Sequence, residues 1–124
     1  KTKEFGVSLC AADQNIVSSV SGNNSGKEVD KIKVLKELGV EFYKAKNIDV
    51  LMIKGAAANF ECKLVKEVEL GDHIMFVGGV VDISVTDKEP LVLSQGKYWK
   101  LTENIQKSKD IVEKIEKLVE KYRK

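Results

Sequence analysis

Cysteine, proline and aromatic residues are scarce in this chain of 124 residues, which has two cysteines, one proline and 6% aromatic residues. Cys10 and Cys62 lie far apart, and neither belongs to a C-x-x-C pair. Two such cysteines favour reduced thiols in a cytoplasmic protein over a disulfide or a metal site. Because so few residues are aromatic, we expect a mostly aliphatic hydrophobic core.

Strong charge of one sign and long hydrophobic runs are also lacking. Lysine and arginine number 21 and aspartate and glutamate number 19, which gives a net charge of +2. This near balance argues against a nucleic-acid partner, whose phosphates attract strongly basic surfaces. No apolar stretch reaches the roughly 18 residues of a membrane span, so no membrane partner is expected either.

Helical periodicity appears first after a polar loop. Ser25, followed three residues later by Glu28, fits a capping box, and Gly39 is placed to end a helix in a left-handed conformation. Between them, apolar residues recur at helical spacing, at Val29, Ile32, Leu35 and Leu38. The pattern predicts a helix over about residues 27–38. The short apolar segment 16–20 is compatible with a strand or with one helical turn.

Residues 40–104 are dominated by strand patterns. Apolar and polar residues alternate over residues 56–65, which is typical of a half-buried antiparallel strand. A second long strand is predicted over residues 73–85. The pair Gly78-Gly79 inside it indicates a bulge, or a point where another group approaches the backbone closely.

The chain ends in a predicted amphipathic helix over about residues 108–122. Ser108 can cap this helix, and one apolar stripe runs along it between lysines and glutamates. Its mixed charge favours packing on the domain or on a partner over binding to a membrane surface. The strands and the two peripheral helices together predict a mainly β fold of α+β type.

The only histidine, His73, follows Gly71 and Asp72 at the point where a turn meets a strand. Imidazole is the side chain whose charge changes near neutral pH, so His73 is the clearest candidate for chemistry. Gly-Asp pairs are also common in turns for conformational reasons alone. The residues by themselves leave both interpretations open: a functional group, or a surface histidine at the start of a strand.

Five short segments follow one another between residues 5 and 101. They are Phe5-Gly6-Val7-Ser8-Leu9, Ser25-Gly26-Lys27-Glu28-Val29-Asp30-Lys31, Ala57-Ala58-Asn59-Phe60-Glu61-Cys62-Lys63-Leu64, Gly71-Asp72-His73 with Gly79-Val80, and Pro90-Leu91-Val92-Leu93 followed by Gly96-Lys97-Tyr98-Trp99-Lys100-Leu101. In this order and spacing the chain resembles the flavin reductase-like, FMN-binding split-barrel family. The resemblance is strongest to archaeal and flavoredoxin-type members.

The resemblance implies an antiparallel Greek-key split β-barrel with the two helices at its periphery. It also implies a homodimer with FMN bound near the dimer interface. The implied activity is that of an oxidoreductase, which transfers hydride or electrons from NAD(P)H to flavin or to a ferric or other acceptor, such as a redox partner protein.

The same resemblance gives roles to particular residues. His73 would be the catalytic residue near the flavin and the nicotinamide, with Asp72 shaping its turn. The cofactor would also be contacted by Asn24, Ser25, Gly26 and Lys27 in the loop before the first helix, and by Lys97 and Tyr98.

The residues themselves partly support a role of this loop in cofactor binding. Free backbone N–H groups at a helix N-terminus, together with Lys27, would suit a phosphate. The alternative is that Ser25 only caps the helix and Lys27 is solvated. For Lys97 and Tyr98 the alternative is a surface lysine and a buried tyrosine that contact no ligand, and this is equally compatible with the sequence.

Two features depart from the family pattern. The family normally has further strands upstream of the strand that contains Phe5, and Ser8 stands where many members carry asparagine. We therefore expect residues 1–104 to be the C-terminal part of a split-barrel domain and residues 105–124 to be a C-terminal amphipathic helix. Two alternatives to the reductase remain: a non-enzymatic FMN electron carrier, and a fragment that does not bind flavin alone.

Overall fold

The computed structural model describes residues 2–124. In chain order its elements are β1 (Glu4–Leu9), α1 (Asn15–Asn23), α2 (Lys31–Glu37), β2 (Phe42–Lys44), β3 (Leu51–Ile53), β4 (Ala58–Leu70), β5 (His73–Val85), β6 (Val92–Ser94), β7 (Lys97–Trp99) and α3 (Lys109–Lys121). The predicted combination of antiparallel strands and helices is confirmed, with three helices in this part of the chain instead of two.

The largest feature is the long antiparallel hairpin of β4 and β5, with β1 paired to the other side of β4. Pairing runs from Ala58 opposite Val85 at the base to Leu70 opposite His73 at the tip. The connection at the tip begins with Gly71, whose φ is 63°. Glycine adopts this left-handed conformation without a Cβ clash and is favoured at the first position of such hairpin turns.

β1 accompanies only the base of this hairpin. Its register ends with Glu4 opposite Lys63, and the N–H of Leu64 donates to the Lys3 carbonyl at 2.7 Å. Beyond that point, residues 65–77 form a two-stranded segment, which we call the ribbon. The ribbon is therefore supported by fewer neighbouring strands than the base.

Two bulges interrupt the pairing of β4 with β5. The register shifts leave Val81 as an extra residue on β5 and Val65 as an extra residue on β4. Gly78 lies between these shifts, and the ring of Phe5 occupies the space that a Cβ at Gly78 would fill. Of the two alternatives predicted at Gly78-Gly79, the close approach is present at Gly78, whereas the two bulges lie on either side of the pair.

The remaining strands form two short antiparallel hairpins, β2–β3 and β6–β7. An isolated bridge between Ala11 and Pro90 links the start of the second hairpin to the segment after β1. Residues 2–124 thus form three separate sheets, with β1 and β5 as the edges of the largest. These sheets do not close into a barrel, because closure requires the edge strands to pair with each other. Of the Greek-key split β-barrel expected from the resemblance, residues 2–124 thus show the antiparallel sheets and the helices without closure.

The first predicted helix is also corrected. Segment 16–20 belongs to α1, and α2 begins at Lys31 instead of residue 27. Asp30 caps α2, since its Oδ1 accepts from the N–H of Lys33 at 3.2 Å. The Ser25 carbonyl instead accepts from the N–H groups of residues 28 and 29. These bonds close an isolated turn, so the helix starts one turn later than the capping-box pattern predicts.

The C-terminal helix agrees with its prediction. α3 spans Lys109–Lys121, and the Ser108 hydroxyl accepts from the N–H of Ile111 at 3.3 Å. None of its residues is buried, so its apolar stripe is not packed on the sheet. Among residues 2–124, none of the helices is both long enough and apolar enough to cross a membrane.

The buried core is small and aliphatic, as expected. Its largest fully buried side chain is Met52, which clusters with Ala45 and Ile48. The β2–β3 hairpin lies against β1 here, and a Cβ at Gly6 would overlap the Met52 sulfur. This close approach fixes the small hairpin over the base of the large one.

Candidate functional site

His73 and Asp72 form a hydrogen-bonded pair at the tip of the large hairpin. The His73 Nδ1 and Asp72 Oδ1 atoms are 2.7 Å apart, and the two side chains are 82% and 91% exposed. We assign the shared proton to Nδ1, because an ionised carboxylate can only accept. Nε2 is then the ring nitrogen that remains free to bind another molecule.

The loop of Asn24, Ser25, Gly26 and Lys27 follows α1 and is exposed throughout. The side-chain amide of Asn24 donates to the Val20 carbonyl at 2.9 Å, and the Ser25 hydroxyl accepts from the N–H of Lys27 at 3.3 Å. These bonds hold the loop in a compact turn at the end of α1.

The backbone N–H groups of this loop are not free to bind a phosphate in the way that the sequence pattern predicts. The backbone N–H groups of residues 27–29 are already bonded to Ser25, and the Asp30 carboxylate occupies the N-terminus of α2. Among the ion pairs of residues 2–124, none involves Lys27. The Lys27 ammonium is therefore the group in this loop that is best able to attract a phosphate.

Lys97 and Tyr98 lie on β7. Tyr98 is half-buried and its hydroxyl donates to the Ser18 hydroxyl of α1 at 3.1 Å, whereas Lys97 is exposed. Tyr98 also lines a cavity of about 190 Å³ with Ala12, Asn15, Leu91, Trp99 and Lys100. The structure thus places Tyr98 beside α1, near the base of the large hairpin.

These candidate residues fall into two groups that lie on different elements of the fold. The loop and Tyr98 belong to the region around α1, whose preceding strand β1 ends with Leu9 opposite Ala58 at the hairpin base. His73 lies at the opposite end, at the tip. With 13 residues in β4 and a rise of about 3.4 Å per residue, the hairpin is roughly 40 Å long.

Ser8, the position that departs from the family pattern, belongs to a polar cluster at the hairpin base. Its hydroxyl donates to Asn59 Oδ1 at 2.5 Å. Asn59 is 6% exposed and its amide donates to the Tyr43 hydroxyl at 3.0 Å and the Ile53 carbonyl at 2.9 Å. Every polar group of Asn59 is thereby satisfied, and the cluster joins β1, β4 and the β2–β3 hairpin.

A charged cleft of about 410 Å³ was not found by sequence reasoning. It lies between the start of α1 and the segments that follow α2 and β3. Its mouth holds two ion pairs, Lys88 with Asp13 at 3.4 Å and Lys54 with Glu41 at 3.3 Å. These residues are scattered along the chain and form no local motif. Among residues 2–124, no buried side-chain polar atom lacks a hydrogen-bond partner, so the cleft offers no unpaired buried group to a ligand.

The two cysteines are free thiols, with Cys62 buried and Cys10 half-buried. Burial raises the pKa of the Cys10 thiol, which lowers its reactivity as a thiolate. Within residues 2–124, no group of three histidine, cysteine or carboxylate side chains is placed to hold a metal ion.

Residues 1–102 match the model of the flavin reductase like domain. This chain belongs to that family. The matched residues include β1, the large hairpin and every candidate site residue, whereas α3 lies beyond them. The family match thus spans all the candidate site residues and ends before the C-terminal helix.

Known relatives agree with this assignment. An NADH-dependent flavin reductase of Rhodococcus is 28% identical over 101 residues, which are 82% of this chain and 51% of the relative. The NADH-dependent FMN reductase SmoA of Agrobacterium fabrum is 26% identical over 98 residues, 79% of this chain and 51% of its own length. This chain spans about half the length of these curated relatives.

Solved structures give the same fold. The flavin reductase PheA2 in its native state superposes with a TM-score of 0.64 at 33% sequence identity, over 82% of this chain and 59% of that one. Most of the described fold is therefore shared with a known flavin reductase structure.

Proposed function

We propose that this chain is part of an NAD(P)H-dependent flavin reductase that binds FMN. The observation that carries the proposal is the family match across residues 1–102, which includes both the hairpin with His73 and the loop with Lys27. We further propose that the protein is cytoplasmic and acts as a homodimer. Its acceptor is free flavin or a ferric or protein partner.

The chemistry of the candidate residues suits these ligands. Lys27 supplies an exposed cation, Ser25 a hydroxyl, and Tyr98 and Lys97 an aromatic ring and a second cation for a flavin phosphate and its attached chain. FMN, when bound, supplies the ring system that accepts hydride. His73 would orient the nicotinamide through its free Nε2, while Asp72 holds the imidazole ring in one orientation through Nδ1.

An anaerobic titration tests the proposed activity on the full chain. Addition of FMN should give the absorbance of a bound flavin, and addition of NADH or NADPH should then bleach it. Binding without bleaching would instead identify an electron carrier. Absence of any bound flavin would show that residues 1–124 do not bind FMN alone, and would contradict the proposal for this chain.

The role of His73 is tested by His73→Ala. We expect turnover of NAD(P)H to fall about tenfold, a loss of roughly 1.4 kcal/mol of transition-state stabilisation, with little change in the FMN dissociation constant. Glu69→Gln, an exposed change on the same hairpin, is the control and should retain full turnover. Unchanged turnover in His73→Ala would remove this residue from the mechanism.

The role of Lys27 is tested by Lys27→Glu. We expect the FMN dissociation constant to rise about tenfold, because the substitution replaces attraction to the phosphate by repulsion. Lys36→Glu makes the same change of net charge in the exposed last turn of α2, so it corrects for long-range effects. An equal loss in the two variants would contradict a direct contact between Lys27 and the phosphate.

A further inference from the structure

We propose that Ser18 is a positioning residue for flavin binding, whose hydroxyl fixes the Tyr98 ring relative to residues 24–27, the Lys27 loop. This inference rests on the proposed function, because Tyr98 and Lys27 are assigned there to the flavin phosphate and its attached chain. It goes further by naming a residue that contacts no ligand itself and by stating the contact through which it acts.

The first argument is the contact between Ser18 and Tyr98. The Tyr98 hydroxyl donates to the Ser18 hydroxyl at 3.1 Å, although the two residues are 80 positions apart in the chain. Both residues are half-buried, and a hydrogen bond is stronger in such surroundings than in water. Within residues 2–124 it is the one side-chain hydrogen bond that joins α1 to the β6–β7 hairpin. The orientation of Tyr98 relative to α1 therefore depends on Ser18.

The second argument is that α1 also determines where the Lys27 loop lies. At the start of this loop Asn24 donates to a carbonyl in the last turn of α1 at 2.9 Å. Beyond its end the Lys31 ammonium donates to the Ser21 carbonyl of the same turn at 2.6 Å. The loop is thus tied to α1 on both sides, and the helix that holds Tyr98 also places Lys27.

The third argument is the cavity that Tyr98 lines. Its wall of about 190 Å³ includes Asn15 of α1 together with Tyr98 of β7. Ser18 lies one helical turn after Asn15, so its bond to Tyr98 sets the distance between these two parts of the wall. A ring that is already fixed loses less rotational freedom when a ligand binds, which raises the affinity.

The alternative is that the Ser18–Tyr98 bond only stabilises the fold. In that case Ser18→Ala lowers the free energy of unfolding and leaves the affinity of the folded chain for FMN unchanged. A positioning role instead changes the FMN dissociation constant under conditions in which every variant is fully folded. The two roles are therefore separated by measuring denaturant unfolding and FMN binding on the same samples.

Titration of FMN fluorescence on the full chain provides the first test. We expect Ser18→Ala to raise the FMN dissociation constant about fivefold, roughly the effect of one net hydrogen bond. Ser18→Thr keeps the hydroxyl and should retain the wild-type value. Ser21→Ala is the matched control, because it makes the same change at an exposed position of α1 and leaves the backbone carbonyl in place. An unchanged dissociation constant in Ser18→Ala, or an equal rise in Ser21→Ala, would overturn the proposal.

A double-mutant cycle tests whether Ser18 acts through Tyr98. Tyr98→Phe removes the hydroxyl that donates to Ser18 and should raise the FMN dissociation constant by a similar factor. If the two residues act as a unit, Ser18→Ala in the Tyr98→Phe background should cause no further rise. Independent effects, in which the two factors multiply, would contradict a positioning role through this contact.

Failure of this inference is distinguishable from failure of the proposed function. If the unsubstituted chain binds no FMN, the proposed function fails for this chain and the inference falls with it. If the unsubstituted chain and all variants bind FMN with the same dissociation constant, the proposed function stands and only the role of Ser18 is overturned.

Discussion

Glu61 is a buried carboxylate that fixes the loop between β2 and β3. It is 4% exposed, and its two oxygens accept from the N–H groups of Lys46 at 3.1 Å and Asn47 at 2.7 Å. Burial acts to raise the pKa of Glu61, but the backbone hydrogen bonds from residues 46–48 and the charge of Lys46 outweigh it, so the pKa lies below its usual value. The ionised form is therefore the one that the fold uses.

We expect Glu61→Gln to lower the melting temperature at neutral pH, because an amide offers one acceptor where the loop needs two. The lowered pKa also predicts a pH dependence. At pH values between the pKa of Glu61 in the folded chain and the ordinary glutamate pKa of about 4.3, the unfolded chain binds more protons than the folded chain. The ionised Glu61 therefore contributes its full stabilisation above that range. This contribution is lost as the pH falls through the folded pKa.

Thermal unfolding from pH 6 to pH 3 measures this effect. The difference in melting temperature between the wild type and Glu61→Gln should shrink on acidification. Glu67→Gln, an exposed change on the same strand, controls for the general titration of carboxylates. A difference that stays constant with pH would contradict the stabilising role of the ionised Glu61.

Position 78 requires a glycine because neighbouring side chains leave no room for a Cβ, and not because of its backbone conformation. A Cβ at this position would overlap the Phe5 ring and would lie 3.0 Å from the Cys62 Cβ. Gly78→Ala should therefore destabilise the fold by about 1–3 kcal/mol, as expected for overpacking. Denaturant unfolding measures this value.

Two variants make the Gly78 prediction specific. Gly22→Ala adds a Cβ in α1 with no atom within 4 Å, so it should stabilise by about 0.5–1 kcal/mol. Phe5→Leu should be less destabilising in the Gly78→Ala background than in the wild type. Additive effects of Phe5→Leu and Gly78→Ala would mean that the two side chains do not compete for space.

At the scale of elements, the start of α2 depends on which residue caps it. Asp30→Ala removes the acceptor of the Lys33 N–H and should cost about 1 kcal/mol. Ser25→Ala is the matched control, because Ser25 caps only an isolated turn, and its cost should be smaller. A larger loss for Ser25→Ala in chemical denaturation would restore the helix start that the capping-box pattern predicts.

The strands were easier to predict than the helices, for a physical reason. Alternation over residues 56–65 and the apolar run within residues 73–85 are local properties of the sequence. They predict both strands of the β4–β5 hairpin, although β4 continues to Leu70. Two acceptable caps precede α2, at Ser25 and Asp30. The choice between them depends on where the helix packs, as the burial of Leu35 indicates, and this packing is not a local property.

At the scale of the whole molecule, α3 is the element with the fewest ties to the rest. Because none of its residues is buried, ending the chain at residue 107 should change the free energy of unfolding of the sheet by less than about 0.5 kcal/mol. Tryptophan fluorescence of Trp99 during denaturation reports on the remaining fold. A large loss of stability would show that the apolar stripe of α3 packs on the domain.

The candidate site illustrates what sequence patterns leave out at this scale. His73 and the loop of residues 24–27 were identified from short segments, and each lies on the surface with polar groups available. Their separation follows from the length of the β4–β5 pairing and from where β1 stops, and both depend on contacts between distant segments. The sequence alone therefore indicates candidate residues but not which end of the β4–β5 hairpin each of them lies near.

The chain also contains its own pair of chemical footprinting probes. Met52 is 1% exposed in the core, whereas Met75 is 47% exposed on the ribbon. Thioether oxidation by peroxide depends on solvent access, so Met52 provides an internal reference for Met75 in a peptide mass spectrum. The yield of Met75 sulfoxide as a function of protein concentration reads out how fully the ribbon is covered, without any substitution.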